Sequence, residues 1–313
     1  MLGRRKRCRL YSRHDELALG TGESARATQK PGVHAARFSP GVDVRGRSAP
    51  DGGWSVYMRV VVKVGTSLIA PDGQINFIWM RSLIDQLDLA RHEYVIVSSG
   101  AIACGMFSLG IKRRPKKLGL MQATAAVGQS RLMHTYERLF FGKKVVAQLL
   151  LSSDDFSSPL RYRNLSKTLN QLLRMRVLPI VNENDSVSVR ELEGAFGDND
   201  ELSALVASAL GADWLVLLTD VDGFFRTVGP SGKLQLVRMV RRVTPAMEAG
   251  CRGKSQLGRG GMRSKLRAAL RATAAGIQVV IANGNHPQVI PLALQRRVGT
   301  YFSPLRVKGE KPA

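Results

Sequence analysis

Short runs of valine, isoleucine and leucine alternate along this 313-residue chain with stretches of helical periodicity. The strand-like runs are 59-RVVVKV, 94-YVIVSS, 145-VVAQLLL, 177-VLPIV, 214-WLVLLT and 277-IQVVIA. The helical stretches include residues 76–91, 120–140, 161–175, 199–210 and 263–275. Because continuous apolar strands that alternate with helices are covered on both faces, the pattern predicts a mostly parallel central sheet between two helical layers. The predicted fold class is α/β, a three-layer αβα sandwich.

Composition excludes several classes of protein. Hydrophobic residues make up 44% of the chain, yet no apolar run approaches the roughly 20 residues that span a bilayer. The three cysteines are widely spaced and odd in number, which predicts neither a disulfide framework nor a zinc site. We therefore expect a soluble globular protein of a reducing compartment, with no membrane partner.

The charge of the chain is strongly positive, with a formal net value of +23 from 47 Lys and Arg against 24 Asp and Glu. Such a field favours polyanions. A nucleic-acid binder usually concentrates its charge in a patch or arm interleaved with aromatic residues, whereas this excess is spread along the chain. Because phosphorylated ligands are also polyanions, the charge alone leaves both kinds of partner open.

Residues 1–57 differ from the rest, because they are basic, rich in Gly, Pro and Ser, and lack helical or strand periodicity. We predict a disordered extension. An organelle transit peptide and a dispensable segment before a working start at Met58 are the alternatives. The main domain is predicted over residues 58–303, followed by a short tail over 304–313.

Polar or glycine-rich segments follow four of the predicted strands, namely 65-GTS, 98-SSGAIACG, 182-NENDSV and 219-TDVDG. Any one of them could be a loop built from turn formers. In open α/β sheets, however, ligands bind beyond the carboxyl ends of the strands. The coincidence of these segments therefore predicts a ligand site at that edge.

Lysine at position 63 is the first candidate for contact with an anion, since it lies inside the apolar run VVVKV. A buried charge is costly unless it meets an opposite charge. With Gly65 just after it, Lys63 makes a candidate phosphate site. The alternative is a lysine that extends from an edge strand to solvent. The chain has neither the P-loop pattern nor G-x-G-x-x-G after the first strand.

Two further segments precede helical patterns. In 197-GDNDELS three polar residues come at a helix start, where one of them could simply cap the helix. In 258-GRGGMRSK three glycines and Lys265 lead into a helix over 263–275, and free amides at such a start suit an anion. An RNA-binding Arg-Gly segment is the alternative for GRGGMRSK, but such segments are usually repetitive and this one occurs once.

These motifs together resemble the amino-acid kinase superfamily, and within it the glutamate 5-kinase family. The similarity covers about 245 residues in the order expected for the family. It is carried by VVKVGTSLI (61–69), VSSGAIACG (97–105), QATAAVGQSRLM (122–133), PIVNENDSV (179–187), FGDNDELSALVA (196–207), LLTDVDGFF (217–225), GRGGMRSKLRAA (258–269) and VGTYF (298–302).

The resemblance implies a transferase that uses ATP and Mg²⁺ to phosphorylate the side-chain carboxylate of L-glutamate, giving γ-glutamyl phosphate in the first step of proline biosynthesis. A glutamate carboxylate has a reference pKa of about 4.3 and is already ionised near neutral pH. Such a nucleophile needs no general base, so the chemistry requires positioning, cations and Mg²⁺.

The resemblance also implies roles for individual residues. Catalytic roles fall on Lys63, Lys265, Asp200 and Asp198. Glutamate binding falls on Ser99, Gly100, Asn182, Asp185 and Asn199. ATP binding falls on Lys63, Gly65, Thr219, Asp220, Arg259, Gly260, Gly261, Met262, Arg263, Ser264 and Lys265. Mg²⁺ is expected mainly on the ATP phosphates, with Asp198 as the candidate for a supporting contact.

Three features depart from the family pattern. The chain stops soon after Phe302, so the C-terminal RNA-binding-type PUA domain of many members is not expected. Arg259 stands where threonine is usual in the glycine-rich loop, which affects the expectation for nucleotide binding. The basic extension over 1–57 has no family counterpart.

The resemblance further implies a cytoplasmic homo-oligomer, a dimer or tetramer, that is coupled to a glutamyl phosphate reductase. Targeting of the chain to an organelle by the extension stays open. Another carboxylate kinase of the superfamily, and an RNA-binding protein that uses the positive charge, are the alternative functions. Nucleic acid is not expected as the primary partner.

Overall fold

The computed structural model of the chain describes residues 57–187, 199–228, 232–251 and 261–305. The strands within these ranges are β1 (Arg59–Val64), β2 (Glu93–Val97), β3 (Val146–Leu151), β4 (Leu178–Glu183), β5 (Trp214–Thr219), β6 (Phe225–Val228), β7 (Lys233–Leu236), β8 (Met239–Val240), β9 (Gln278–Asn283) and β10 (Thr300–Phe302). The helices are α1 (Thr66–Ile69), α2 (Phe77–Asp85), α3 (Ala101–Ser108), α4 (Leu118–Phe140), α5 (Asp154–Ser157), α6 (Pro159–Arg174), α7 (Asn199–Leu210), α8 (Pro245–Gly250), α9 (Met262–Ala274) and α10 (Val289–Leu294).

Eight strands form one sheet in the order β3-β4-β2-β1-β5-β9-β10-β8. Neighbouring strands are parallel except for the antiparallel pair β9 and β10. The strands β6 and β7 form a separate antiparallel hairpin. The predicted mostly parallel sheet is confirmed, and β1 lies inside it rather than at an edge.

Both faces of the sheet are buried, which is why its strands read as continuous apolar runs. On one face Val60 and Val62 belong to a core that includes residues of α2, α4 and α10. On the other face Val61 belongs to a core that includes residues of α6, α7 and α9. Each fully buried aliphatic side chain of these cores contributes about 1.5–3 kcal/mol. The fold is therefore the predicted three-layer αβα sandwich.

The helix predicted over residues 76–91 is shorter in the structure, because α2 ends at Asp85. Asp88 provides the physical reason. Its carboxylate accepts a hydrogen bond from the backbone N–H of Arg91 (3.1 Å), and its carbonyl accepts one from that of His92 (3.0 Å). A side chain that bonds to nearby backbone groups in this way competes with the helix.

The glycine-rich segment 98-SSGAIACG is only partly a loop, because Ala101–Ser108 forms α3. Gly100 precedes this helix with φ of 92°, a left-handed conformation that a residue without Cβ adopts at no steric cost. The chain therefore turns sharply from β2 into α3, and the polar segment over Ser98–Gly100 remains at the edge of the sheet.

Parts of the predicted domain organisation lie outside the described residues. Only Tyr57 of the extension over 1–57 and residues up to Leu305 of the tail over 304–313 are described. Those domain boundaries therefore stay predictions. Among the described helices, none has the length and apolar character to cross a membrane.

Candidate active site

The carboxyl ends of four parallel strands meet at one edge of the sheet. Lys63 of β1 is in register with Val97 of β2 and with Leu217 of β5, and Val97 is in register with Val181 of β4. The polar segments that follow these strands are thereby brought to a common edge, as the sequence pattern predicts.

A buried carboxylate joins two lysines at this edge. The Lys63 Nζ lies 2.5 Å from Asp200 Oδ1, and the Lys265 Nζ donates a hydrogen bond to Asp200 Oδ2 at 3.0 Å. The relative exposure of Lys63, Asp200 and Lys265 is 3%, 0% and 5%. Asp200 and Lys265, which lie 137 and 202 positions after Lys63 in the sequence, therefore form one compact ionic cluster with it.

Two helix starts provide the geometry of this cluster. Asp200 is in the first turn of α7, where the helix dipole favours a negative charge, and Lys265 is in the first turn of α9. The Ser264 hydroxyl donates to Asp200 Oδ2 (2.8 Å), and the Ser203 hydroxyl donates to the Asp200 carbonyl (2.5 Å). Asp200 is consequently fixed from both helices.

The electrostatics of the cluster favour an anionic ligand. Burial opposes ionisation of Asp200, but the charges of Lys63 and Lys265 outweigh that effect and hold the pKa of Asp200 well below its usual range. The ionised carboxylate offsets one of the two ammonium charges. Two ammonium groups beside one carboxylate favour an anion such as a phosphate group at this edge of the sheet.

A hydrogen-bonded chain of amides and a hydroxyl lies next to the ionic cluster, since Asn199 directly precedes Asp200. The Asn199 Nδ2 donates to Ser99 Oγ and to Asn182 Oδ1, both at 3.1 Å. Asn182 in turn donates from Nδ2 to Gln129 Oε1 at 2.7 Å. Within the described residues, the buried Asn199 Oδ1 has no hydrogen-bond partner. Asn199 Oδ1 is thus available to accept a hydrogen bond from a ligand.

Gln129 has no role in the sequence prediction, although it lies in the quoted motif QATAAVGQSRLM. Its position depends on a close crossing of α3 and α4. A Cβ added at Gly128 would lie 1.8 Å from the Ala101 carbonyl oxygen, and one at Gly105 would lie 1.8 Å from the Thr124 carbonyl oxygen. These glycines let the helix backbones approach, and the crossing brings Gln129 to Asn182.

The residues predicted for the nucleotide lie at the ends of neighbouring elements. Thr219 is the last residue of β5, and its hydroxyl donates to Asp220 Oδ1 at 3.1 Å. Gly65 precedes α1, and Gly261 precedes α9 with an extended backbone and no side-chain cap. Met262 and Arg263 belong to the first turn of α9. This arrangement leaves amides at the start of α9 available to an acceptor.

The remaining predicted residues follow strands or lie outside the described part of the chain. Asp185 lies in the turn that follows β4, and Gly100 precedes α3. Asp198, Arg259 and Gly260 lie outside the described residues. In the described parts of the chain, no group of three or more His, Cys, Asp and Glu has an arrangement that could hold a metal ion.

Comparison with known proteins identifies the family. The model of the amino acid kinase family matches residues 58–283. A glutamate 5-kinase of Synechococcus sp. (strain JA-3-3Ab) is 44% identical over 255 residues, which cover 78% of this chain and 68% of that protein. A glutamate 5-kinase of Lactiplantibacillus plantarum is also 44% identical over 255 residues, covering 78% of this chain and 96% of that protein. The chain belongs to the glutamate 5-kinase family.

Solved structures show how the fold of this glutamate 5-kinase family member compares with others. A carbamate kinase from Giardia lamblia, bound to AMP-PNP, has a TM-score of 0.53 at 18% identity, covering 80% of this chain and 99% of that one. A UMP kinase from Bacillus anthracis has a TM-score of 0.52 at 16% identity, covering 80% and 97%. At these identities the similarity establishes the amino-acid kinase fold alone.

Proposed function

We propose that this chain catalyses transfer of a phosphoryl group from ATP to the side-chain carboxylate of L-glutamate, giving γ-glutamyl phosphate for proline biosynthesis. The observation that carries the proposal is the pair of buried lysines bridged by Asp200, beside the Asn199 hydrogen-bond chain. Membership of the glutamate 5-kinase family favours this function over another carboxylate kinase and over RNA binding.

Lys63 and Lys265 are the proposed contacts of the transferring phosphoryl group. The nucleophile and the phosphate are both anions, so the reaction depends on cations that bring them together and offset the charge of the transition state. Asp200 has a positioning role, because each of its two oxygens fixes one ammonium group. The substrate carboxylate is already ionised near neutral pH, so it attacks the phosphoryl group without a proton acceptor from the protein.

Glutamate is proposed to bind at Ser99, Gly100, Asn182, Asp185 and Asn199. Asn199 Nδ2 is occupied by Ser99 and Asn182, so the amide orientation is fixed and the buried Oδ1 is the atom left to accept from a donor. The α-ammonium group of an amino acid is such a donor. The Gln129 contact completes this arrangement, because it fixes the orientation of Asn182.

The nucleotide is proposed to lie along Gly65, Thr219, Asp220 and the segment from Arg259 to Lys265. Buried lysines and the amides at the start of α9 suit its phosphates. ATP supplies the phosphoryl group, and Mg²⁺ on its phosphate oxygens neutralises their charge. Asp198 remains the proposed additional contact of the metal.

The cellular setting belongs to the same proposal. We place the enzyme in the cytoplasm as a homo-oligomer, a dimer or tetramer. Its acyl phosphate product is labile, so a glutamyl phosphate reductase is proposed to consume it directly.

The direct test is a substrate panel with the purified full-length chain, ATP, Mg²⁺ and hydroxylamine, which converts an acyl phosphate into a measurable hydroxamate. The proposal predicts ATP-dependent hydroxamate formation with L-glutamate, and none above background with L-aspartate or N-acetylglutamate. Formation with N-acetylglutamate or aspartate at a higher rate would assign the chain to another carboxylate kinase. Salt-sensitive RNA binding without hydroxamate formation would favour the RNA-binding alternative.

A further inference from the structure

A cavity of about 260 Å³ lies at the opposite edge of the sheet from the candidate active site. It is bounded by the amino ends of β2 and β4, by the segment before β3 and by the residues that follow α6. The five residues of β2 separate it from Ser98 by about 16 Å at the usual strand rise. The cavity is therefore distinct from the catalytic edge.

Two cationic side chains line this cavity without a carboxylate partner. Among the described residues, neither Lys144 nor Arg176 forms an ion pair. The cavity's one carboxylate, Glu93, is engaged by the Arg59 guanidinium at 2.8 Å and by the Tyr57 hydroxyl. Burial and, to a smaller extent, the nearby Arg176 charge lower the pKa of Lys144, whereas Glu93 acts in the opposite direction.

The backbone at Arg176 provides an independent observation. Arg176 follows α6 in the left-handed region with φ of 58°, and Val177 N–H donates to the Leu172 carbonyl at 3.0 Å. This helix-ending geometry strongly favours glycine. Arg296 has the same backbone conformation (φ 59°), but its guanidinium lies 4.3 Å from the Tyr301 ring centroid and bonds to Gln278. No such ring contact or side-chain hydrogen bond involves Arg176 in the described part of the chain.

The remaining walls of the cavity combine aliphatic side chains with Tyr57, His92 and Tyr94. Leu89, Leu173 and Leu178 contribute aliphatic surface, and Tyr94 contributes a buried ring. Burial raises the pKa of the Tyr94 hydroxyl to about 12, so this group stays protonated. At about 30 Å³ for each water molecule in the liquid, the volume corresponds to roughly nine waters. That size suits a compact organic molecule, and Arg and Lys suit a carboxylate.

We propose that this cavity is a binding site for a small organic carboxylate. The carboxylate group lies between Lys144 and Arg176, and the apolar body of the ligand contacts Leu173 and Leu178. This role explains why arginine stands at position 176, where the left-handed backbone favours glycine. The arginine side chain supplies a cation to the cavity. The proposal is independent of the proposed catalytic function.

The test uses 4-fluorobenzoate as the probe, followed by ¹⁹F NMR on the full-length chain with ATP present in excess to occupy the phosphate subsite of the candidate active site. We expect saturable binding of 4-fluorobenzoate and at least tenfold weaker binding of the neutral 4-fluorobenzyl alcohol. Acetate, which lacks the apolar body, should displace the probe only at roughly tenfold higher concentration than benzoate.

Arg176→Gly is the decisive variant, because it removes the cation and also relieves the backbone conformation. We expect probe binding to weaken about tenfold while the melting temperature stays the same or rises. Lys144→Met should weaken binding similarly, and Lys112→Met, at an exposed lysine of another loop, should not. The proposal is overturned by equal binding of the alcohol, by full displacement with ATP, by no binding, or by unchanged affinity in Arg176→Gly.

Discussion

Asp200→Asn tests the ionic cluster most sharply, because it removes one charge and keeps the shape of the side chain. Lys63 and Lys265, 3% and 5% exposed, would then be two buried cations without their shared carboxylate. Removing one partner of a buried ion pair costs about 3–5 kcal/mol. We expect the free energy of unfolding in urea, followed by tryptophan fluorescence, to fall by about that amount. Because a displacement of about 1 Å costs about 100-fold in rate, turnover should fall by at least that factor.

The neighbouring residue provides a matched control. Glu201 follows Asp200 in the same helix turn and pairs with Arg271 at 3.1 Å, but its side chain is 30% exposed and that of Arg271 is 48% exposed. An exposed pair contributes about 0.2–1 kcal/mol, so Glu201→Gln should change the unfolding free energy by no more than that. A loss in Asp200→Asn that is no larger than the loss in Glu201→Gln would refute the reasoning.

The pH dependence of this difference has a definite sign. The pKa of Asp200 is lower in the folded than in the unfolded state, so its contribution is fully present above the unfolded value of about 3.9. That contribution is lost as the pH falls through the folded value. The stability difference between the native chain and Asp200→Asn should therefore be constant between about pH 5 and 7 and shrink below about pH 3.9. A difference that grows in acid would contradict the assigned ionisation.

Three further predictions concern the residues around the cluster. Asn199→Ala should raise the KM for glutamate at least tenfold in steady-state kinetics and leave the KM for ATP within twofold, whereas equal effects on both would count against the assigned subsite. Gln129→Leu should produce a smaller rise in the same glutamate KM, because it acts only through Asn182, and no change would dismiss that relay. Gly128→Ala should lower the unfolding free energy by about 1–3 kcal/mol through overpacking. Gly119→Ala on the same helix, with open space around it, should be neutral or stabilising. Equal effects of the two substitutions in urea unfolding would refute the close crossing of α3 and α4.

The strands that are long and buried could be predicted from the sequence, and those that are short and exposed could not. The run 59-RVVVKV is buried on both faces of the sheet, so its residues carry the signal directly. The hairpin of β6 and β7 has four-residue strands with mostly exposed side chains, so no apolar run marks it. The helix α3 was not predicted, because its residues belong to the glycine-rich segment that follows β2. Within it Gly105 allows the close contact with Thr124 of α4.

The edge on which the site lies could be predicted for a general reason, since the carboxyl ends of parallel strands converge. The individual contacts could not be predicted from the residues themselves. That Asp200 contacts both lysines depends on the packing of α7 and α9 against the sheet, and the resemblance alone assigned these three residues to one site. Gln129 was overlooked because its contact with Asn182 depends on the distance between two helix backbones.

The most direct test of the central claim is the rate of glutamate-dependent hydroxamate formation in Lys63→Met and Lys265→Met, each shown to be folded by circular dichroism. We predict that ATP and L-glutamate give hydroxamate with the native chain, that both variants lose at least 100-fold in kcat, and that the exposed control Lys112→Met retains the native rate. Near-native turnover in either folded variant, or no hydroxamate from the native chain, would contradict phosphoryl transfer between the two lysines.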